Sequence, residues 1–334
     1  MSKYLITTDT HLGRKNSSPI DLKITKDFFD WTIKIGREKN IEYFLHLGDW
    51  HHNRRSISIP ALYESYEIFN KLKNNFEESY IILGNHDLYY KNIDIPNSLD
   101  IFCFDNINII NKPEMVGNIL LIPWIFDESD LNIIKTNTYG AKIIMGHLPI
   151  NDVILNKAKA KSKDNILNKS DFEDYDIVWS GHYHQYGQYR NIVYIGAPYH
   201  MDFNDAGKRG VYIFDDETKE YEFIEYKDAP KYITIDAEDF DDKEIPGNNI
   251  RIEFYNNLGL NKINDIIYNI EKLQPNSLDI SYKFSNTFTN ESNFDSIEEI
   301  KANKNILIDY IKESKMPDHL NMKTMENIIT SLEK

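Results

Sequence analysis

Nine side chains able to ligate a metal or move a proton fall into five short polar fragments: Asp9-Thr10-His11, Gly48-Asp49, Gly84-Asn85-His86-Asp87, Gly146-His147 and Gly181-His182-Tyr183-His184. Two divalent ions held roughly 3.5–4 Å apart repel each other, so they need a bridging carboxylate. They also need oxygen and imidazole ligands that leave positions open for water and substrate. The fragments supply both kinds. Asp9 and His11 stand two apart, as do His182 and His184, so on extended backbone each pair points the same way. Glycine precedes a candidate ligand at 48, 84, 146 and 181, where it permits a sharp turn and close backbone approach. Taken singly, each fragment has an ordinary explanation. Asp-x-His arises by chance, Gly-Asn-His-Asp suits a turn, and a histidine can end a strand with its needs met. Their conjunction points to a two-metal hydrolytic centre.

Such a centre requires strands that deliver the fragments to one edge. Directly ahead of them lie the apolar runs KYLITT, EYFLHL, SYIIL, AKIIM and YDIVW, each of strand length. Helical spacing fills Asp21 to Lys39 (Leu22, Phe28, Phe29, Ile33) and recurs over Pro60 to Phe76, with proline suited to a first helical turn. After Tyr175 the strands NIVYIG, GVYIFD and YEFIEY follow one another, the last two joined by a hairpin at Asp216-Glu217-Thr218-Lys219. The α/β pattern over 1–228 predicts sheets packed face to face with helices outside. Residues 229–285 read as a smaller α+β unit: strands KYITID, NIRIEFY and SLDISYKF, a helix over Asn261 to Gln274, and punctuation at Pro246-Gly247. Within 286–334 a polar linker precedes a helical tail that starts at Asp295-Ser296-Ile297-Glu298, a capping-box-like signal, and breaks near Pro317. Its last segment is amphipathic and too short to be stable alone, so it packs either on this chain or on a partner.

With 334 residues the chain has room for about two domains. Cys103 is the single cysteine, which excludes an internal disulfide and a cysteine zinc cage and suits a reducing compartment. Following the run Leu99 to Phe102, it is expected to pack as a small apolar residue. The first residues read as a strand rather than a secretory signal, and no apolar stretch approaches about 18 residues. A cytoplasmic protein with no membrane contact is expected. The formal charge of −15 argues against a simple nucleic-acid binder. It still permits action on a phosphate polymer through metals and local basic loops. Arg14 and Lys15 follow the first fragment, Arg54 and Arg55 the second, and Lys157, Lys159, Lys161 and Lys163 the fourth. These are candidate phosphate contacts, although a charge run equally serves as a solvated face.

The ordered set D-x-H, G-D, G-N-H-[DE], G-H and G-H-x-H resembles the calcineurin-like metallophosphoesterase superfamily across the first 228 residues. The resemblance implies a four-layer αββα sandwich. It implies that Asp9, His11, Asp49 and His184 hold one metal, and Asp49, Asn85, His147 and His182 the other, with Asp49 bridging. His86 would be no ligand; it would face the scissile phosphate and stabilise or protonate the leaving oxygen. Asp87 would either orient His86 or cap a turn. Within the superfamily, ILGNHDLYYKN, IPWIFDES, VWSGHYHQ, YIGAPYHMDF and KRGVYIFD are similar to SbcD-type DNA-repair nuclease subunits, including T-even phage relatives. That likeness implies two divalent ions, Mn2+ before Mg2+. It also implies a DNA-binding capping domain over 229–285 and a tail over 286–334 that grips an SbcC-type coiled-coil ATPase. A homodimer formed through Pro60 to Phe76 follows from it too, as does a place near the nucleoid of a bacterium or phage-infected host. His52, with neighbouring His51 as a rival, matches a position bearing on exonuclease action.

The leading expectation is therefore a two-metal DNA phosphodiesterase, a 3′-to-5′ exonuclease and single-strand endonuclease working in double-strand-break processing and recombination. A small-molecule or cyclic-nucleotide phosphoesterase is the enzymatic alternative, modestly favoured by the acidic charge. A non-catalytic scaffold for the ATPase and DNA is the third, and the complete ligand set weighs against it.

Overall fold

The structure, a computed structural model, describes residues 2–90, 95–124, 127–151, 154–155, 158–159, 167–256 and 258–283. The expected helical tail, Lys157, Lys161 and Lys163, and the side chain of Lys159 lie outside this set.

Two six-stranded sheets carry the site. In the first, the order is Tyr221–Glu225, Gly210–Asp215, Lys3–Thr7, Tyr43–His46, Glu78–Ile82, Ile107–Ile110. In the second it is Gly187–Tyr189, Ile192–Tyr194, Ile177–Ser180, Ile143–Gly146, Ile119–Ile122, Glu114–Val116. Each has parallel neighbours at its centre, so their C-terminal ends emerge on one edge. Strands buried on both faces read as unbroken apolar runs. That is the pattern of Ile119–Ile122 and Ile143–Gly146, every residue of which is buried. Register is fixed by these pairs, with Leu5 opposite Phe44 and Met145 opposite Trp179.

The sheets meet through Ile6, Leu45, Ile82, Leu121, Met145, Trp179 and Phe214. Helices Pro19–Glu38 and Ile59–Lys73 cover the outer face of the first sheet, burying Phe28, Phe29, Phe69 and Leu72 against Leu5 and Phe44. Ser18 and Ser58 cap them by accepting the backbone N–H of Asp21 and Ala61, and proline sits in each first turn. Helix Glu128–Thr136 and the 3₁₀ turn Lys169–Phe172 cover the second sheet through Ile134 and Phe172. The order helix, sheet, sheet, helix is the expected αββα sandwich.

A third, three-stranded parallel sheet, Tyr232–Asp236, Asn249–Phe254 and Ser277–Tyr282, packs helix Leu260–Lys272 on one face. Its core of Ile250, Ile252, Phe254, Ile263 and Ile270 is its own. Arg251 lies 4.0 Å above the Phe203 ring, and Tyr232 meets that ring edge-on at 5.1 Å. Cys103 departs from expectation. It is exposed, because the irregular chain after Asp100 turns Phe102 inward to stack on Phe69, which leaves the next residue facing outward. No helix among the described residues is long and apolar enough to cross a membrane.

Candidate metal centre

All five fragments emerge at the C-terminal ends of parallel strands, on the edge where the two sheets meet. Backbone hydrogen bonds zip the first two loops together: Asp9 N–H to Gly48 O at 2.9 Å, His11 N–H to Asp49 O at 3.0 Å, and Leu12 N–H to Trp50 O at 2.7 Å. The candidate ligand pairs do not converge on extended backbone. Asp9, His11, Asp49 and His182 have φ of 49°, 46°, 56° and 85°, in the left-handed region. Each exit folds back over the sheet edge, and the inter-loop bonds offset the cost of that conformation.

The donor atoms sort into two groups that meet at Asp49. His11 Nε2 lies 2.9 Å from His184 Nε2 and 3.9 Å from Asp9 Oδ1. Asn85 Oδ1 lies 3.2 Å from His147 Nε2 and 3.1 Å from His182 Nδ1. Asp49 Oδ2 stands between the groups, 3.6 Å from His11 Nε2 and 3.4 Å from His147 Nε2. Thr8 Oγ1 donates to Asp9 Oδ2 at 2.7 Å, and the His182 N–H reaches the same carboxylate.

The chemistry of this donor set fits cations. Two imidazole nitrogens 2.9 Å apart can share at most one proton. Burial pushes His11 well below the usual imidazole range and His182 down to about 3, so both rings are neutral with lone pairs to offer. Burial would lower His147 as well, but the Asp49 carboxylate outweighs it and raises the ring to about 9. Burial likewise pushes Asp49 up, yet His147 and His11 hold it well below the carboxylate range. A divalent ion would replace that proton as the counter-charge. Mixed imidazole, carboxylate and amide donors accept several such ions, Mn2+ and Mg2+ included.

Glycine is required where loops touch. A Cβ on Gly84 would lie 2.2 Å from both the backbone N and the Oδ1 of Asp49; one on Gly48, at φ +95°, would lie 2.4 Å from His147 Nδ1. Gly84→Ala therefore displaces Asp49. It should weaken Mn2+ binding by at least about tenfold, read by calorimetry, since misplacing a ligand's support typically costs 10–100-fold. Wild-type affinity in this variant would show that Asp49 tolerates the shift.

His86 donates its backbone N–H to Asp49 Oδ1 at 2.8 Å, and its Nδ1–H to the His52 carbonyl at 2.6 Å. Nε2 is left for the cleft, and the ring stands 4.9 Å from that of His11. Of the two expected roles for Asp87, the structure supports the turn. Its fully buried carboxylate accepts the backbone N–H groups of Trp50, His51 and Gly84 at 3.0–3.2 Å, while the His52 carbonyl is what orients His86. Burial raises Asp87 to about 6. His51 is buried between Ser98 Oγ and Ser65 Oγ, at 2.8 and 2.7 Å. His52 is half-buried, its ring 5.4 Å from that of His11 and 5.7 Å from that of His86. His46 is structural, with Nε2 3.0 Å from Thr10 Oγ1.

Arg14 is no surface cation: it is 5% exposed, with Nη2 2.8 Å from Asp21 and its guanidinium over Tyr199. The helix that begins at Pro19 presents Asp21 inward, and the pair locks the first loop to it. Lys15 Nζ lies 3.9 Å from Asp21 and 4.9 Å over the Tyr232 ring. Arg55 is exposed and Arg54 half-buried. Trp124 escaped the sequence reading. It follows the strand Ile119–Ile122 and places its ring 5.2 Å from His182 and 6.1 Å from His147. The signal was a sixth strand exit, at Pro123-Trp124, passed over because indole carries no ligand atom. Tyr199 was missed too: its hydroxyl donates to Thr10 O at 2.5 Å, between the two candidate ligands of the first loop.

The sandwich and its two-group donor cluster define a class. The profile of the family described as calcineurin-like phosphoesterase matches residues 2–186, and the chain belongs to that family of metal-dependent phosphoester hydrolases. Among individual proteins it is similar to exonuclease subunit 1 of Enterobacteria phage T4, with 31% identity over 230 residues, covering 66% of this chain and 67% of that protein. Two solved structures show weaker likeness. One is a Pseudomonas putida nuclease MPE, at 16% identity and a TM-score of 0.30, covering 54% of this chain and 61% of that one. The other is GAP50 of Plasmodium, described as the anchor in the inner membrane complex, at 12% and 0.43, covering 68% and 89%.

Proposed function

We propose that this chain is a two-metal DNA phosphodiesterase, Mn2+-dependent, acting as a 3′-to-5′ exonuclease and single-strand endonuclease in break processing and recombination. The observation that carries this reading is the single Asp49 oxygen set between two groups of donors, in a chain similar to a phage exonuclease subunit. Asp9, His11, Asp49 and His184 would hold one ion and Asp49, Asn85, His147 and His182 the other. Bound ions neutralise phosphoryl charge and lower the pKa of the attacking water. The chain's own residues orient and donate. His86, steered by the His52 carbonyl, protonates the leaving oxygen from Nε2. His52 lines the cleft beside it, and Asp87 fixes the backbone beneath both.

Arg54, Arg55 and Lys15, with Lys157, Lys159, Lys161 and Lys163, would contact DNA phosphates. The subunit name of the phage relative supports a partner subunit; by the resemblance of the sequence to SbcD-type subunits it would be an SbcC-type ATPase, reached through residues 286–334. Helix Ile59–Lys73 supports a homodimer, because Ile59, Tyr63 and Tyr66 are 82%, 63% and 50% exposed along one stripe.

The test compares linear DNA with a cyclic nucleotide as substrates, with and without chelator. DNA should be hydrolysed in Mn2+, the activity lost on chelation and restored by added Mn2+. Faster turnover of the cyclic nucleotide, which the charge of −15 favours, would replace DNA as the substrate. Inactivity on DNA even with the ATPase partner present would refute the reading.

A further inference from the structure

Against the His184 backbone lies a buried ion pair that the reading above leaves without a role. Arg209 and Asp205 side chains are each 5% exposed, with Nη2 3.1 Å from Oδ1. Arg209 immediately precedes the strand Gly210–Asp215, which pairs with Lys3–Thr7 at the centre of the first sheet. Its own carbonyl accepts the Tyr226 N–H at 2.7 Å. The guanidinium thus projects from a rigid base. Nη1 donates to the carbonyl of His184 and, at 3.3 Å, to that of Ala197. The Ala197 N–H also donates to the His184 carbonyl, at 3.0 Å.

Asp205 completes the clamp. Its Oδ1 accepts Gln185 Nε2 at 2.9 Å, so the residue after His184 is held as well. Its Oδ2 accepts the backbone N–H of Met201 at 2.5 Å and of Asp202 at 3.3 Å. Burying an ion pair is costly unless the geometry and further hydrogen bonds repay it. Here one bond from each partner falls on His184 or its neighbour: Arg209 Nη1 on the His184 carbonyl and Asp205 Oδ1 on Gln185. The His184 Nε2 lies 2.9 Å from His11 Nε2.

We infer that Arg209, braced by Asp205, is a positioning residue that sets where His184 presents its imidazole to a metal ion. The inference rests on the reading of His184 as a ligand. Partners one bond removed from a ligand typically control metal affinity by 10–100-fold. Among the candidate donors Arg209 bonds the backbone of His184 alone, so its loss falls on the ion that His184 helps to hold. The ion that Asn85, His147 and His182 share with Asp49 keeps its donors.

The experiment titrates Mn2+ into the full chain by calorimetry, comparing wild type, Arg209→Met, Arg209→Lys and Asp205→Asn. Asp176→Asn serves as control, since it breaks an exposed ion pair with Lys219 elsewhere. Arg209→Met should weaken one of two Mn2+ equivalents by about 10–100-fold and leave the other within about twofold. Arg209→Lys, which keeps the charge but not the fork, and Asp205→Asn should fall between it and wild type; they carry the test if Arg209→Met does not fold. Equal affinity for both equivalents in the folded variants would overturn the inference. So would a parallel loss at both equivalents with a lowered metal-free melting temperature, which marks a general packing role. A wild-type chain that fails to bind two ions would instead refute the metal reading itself.

Discussion

His86→Asn should bind two Mn2+ ions with wild-type affinity and yet hydrolyse phosphodiesters about a hundredfold to ten-thousandfold more slowly, the span typical of a lost proton donor. The reasoning is geometric. The His86 backbone N–H, not its side chain, bonds Asp49, so the substitution leaves the metal-side bond in place. The side chain is directed by a main-chain carbonyl, that of His52, and its ring lies 4.9 Å from that of His11. Calorimetry for the ions and single-turnover kinetics for the chemistry separate the two effects. Weakened metal binding in step with lost activity would make His86 a ligand and withdraw its role as proton donor. Near-normal turnover would place the proton source elsewhere, with half-buried His52 the nearest candidate.

Asp49→Ala should be more damaging and of a different kind. One oxygen of this buried carboxylate faces both donor groups, at 3.6 Å from His11 and 3.4 Å from His147, while the other anchors the His86 backbone. Both Mn2+ equivalents should weaken by more than about 100-fold, beyond the 10–100-fold range of outer-shell partners. A ligand present at 100 times its dissociation constant stabilises a fold by about 2.7 kcal/mol. The Mn2+-dependent rise in melting temperature of the wild type should therefore vanish in the variant. Loss of one equivalent with the other intact would assign Asp49 to a single site.

Much of the sandwich was legible because its central strands are covered on both faces, and such strands write themselves as unbroken apolar runs. KYLIT, YFLH and IIMG could be seen without any partner, and the helices declared themselves through the apolar spacing of Leu22, Phe28, Phe29 and Ile33 and through Pro60. The meeting of the five fragments was legible for a related reason: parallel neighbours bring strand exits to one edge whatever the loops do. The loops themselves were not. Left-handed backbone at Asp9, His11 and Asp49 is set by inter-loop hydrogen bonds, and spacing along the chain carries no trace of those.

Side-chain roles that depend on neighbours were the least readable. Arg14 has the type and position of a phosphate contact, but Asp21, seven residues on, draws it inward. Asp87 sits next to a catalytic candidate, yet it spends its oxygens on three backbone N–H groups. Trp124 and Arg209 touch the candidate donors without offering a ligand atom, so an inventory of metal-capable residues passes over them. Cys103 was misplaced because irregular chain has no periodicity from which to read an inward face.

The central claim is that two ions share Asp49. Anomalous diffraction from a crystal soaked in Mn2+ tests it most directly. Two peaks about 3.5–4 Å apart with the Asp49 carboxylate between them are the expected result. A single peak, or two peaks of which only one touches Asp49, would contradict it.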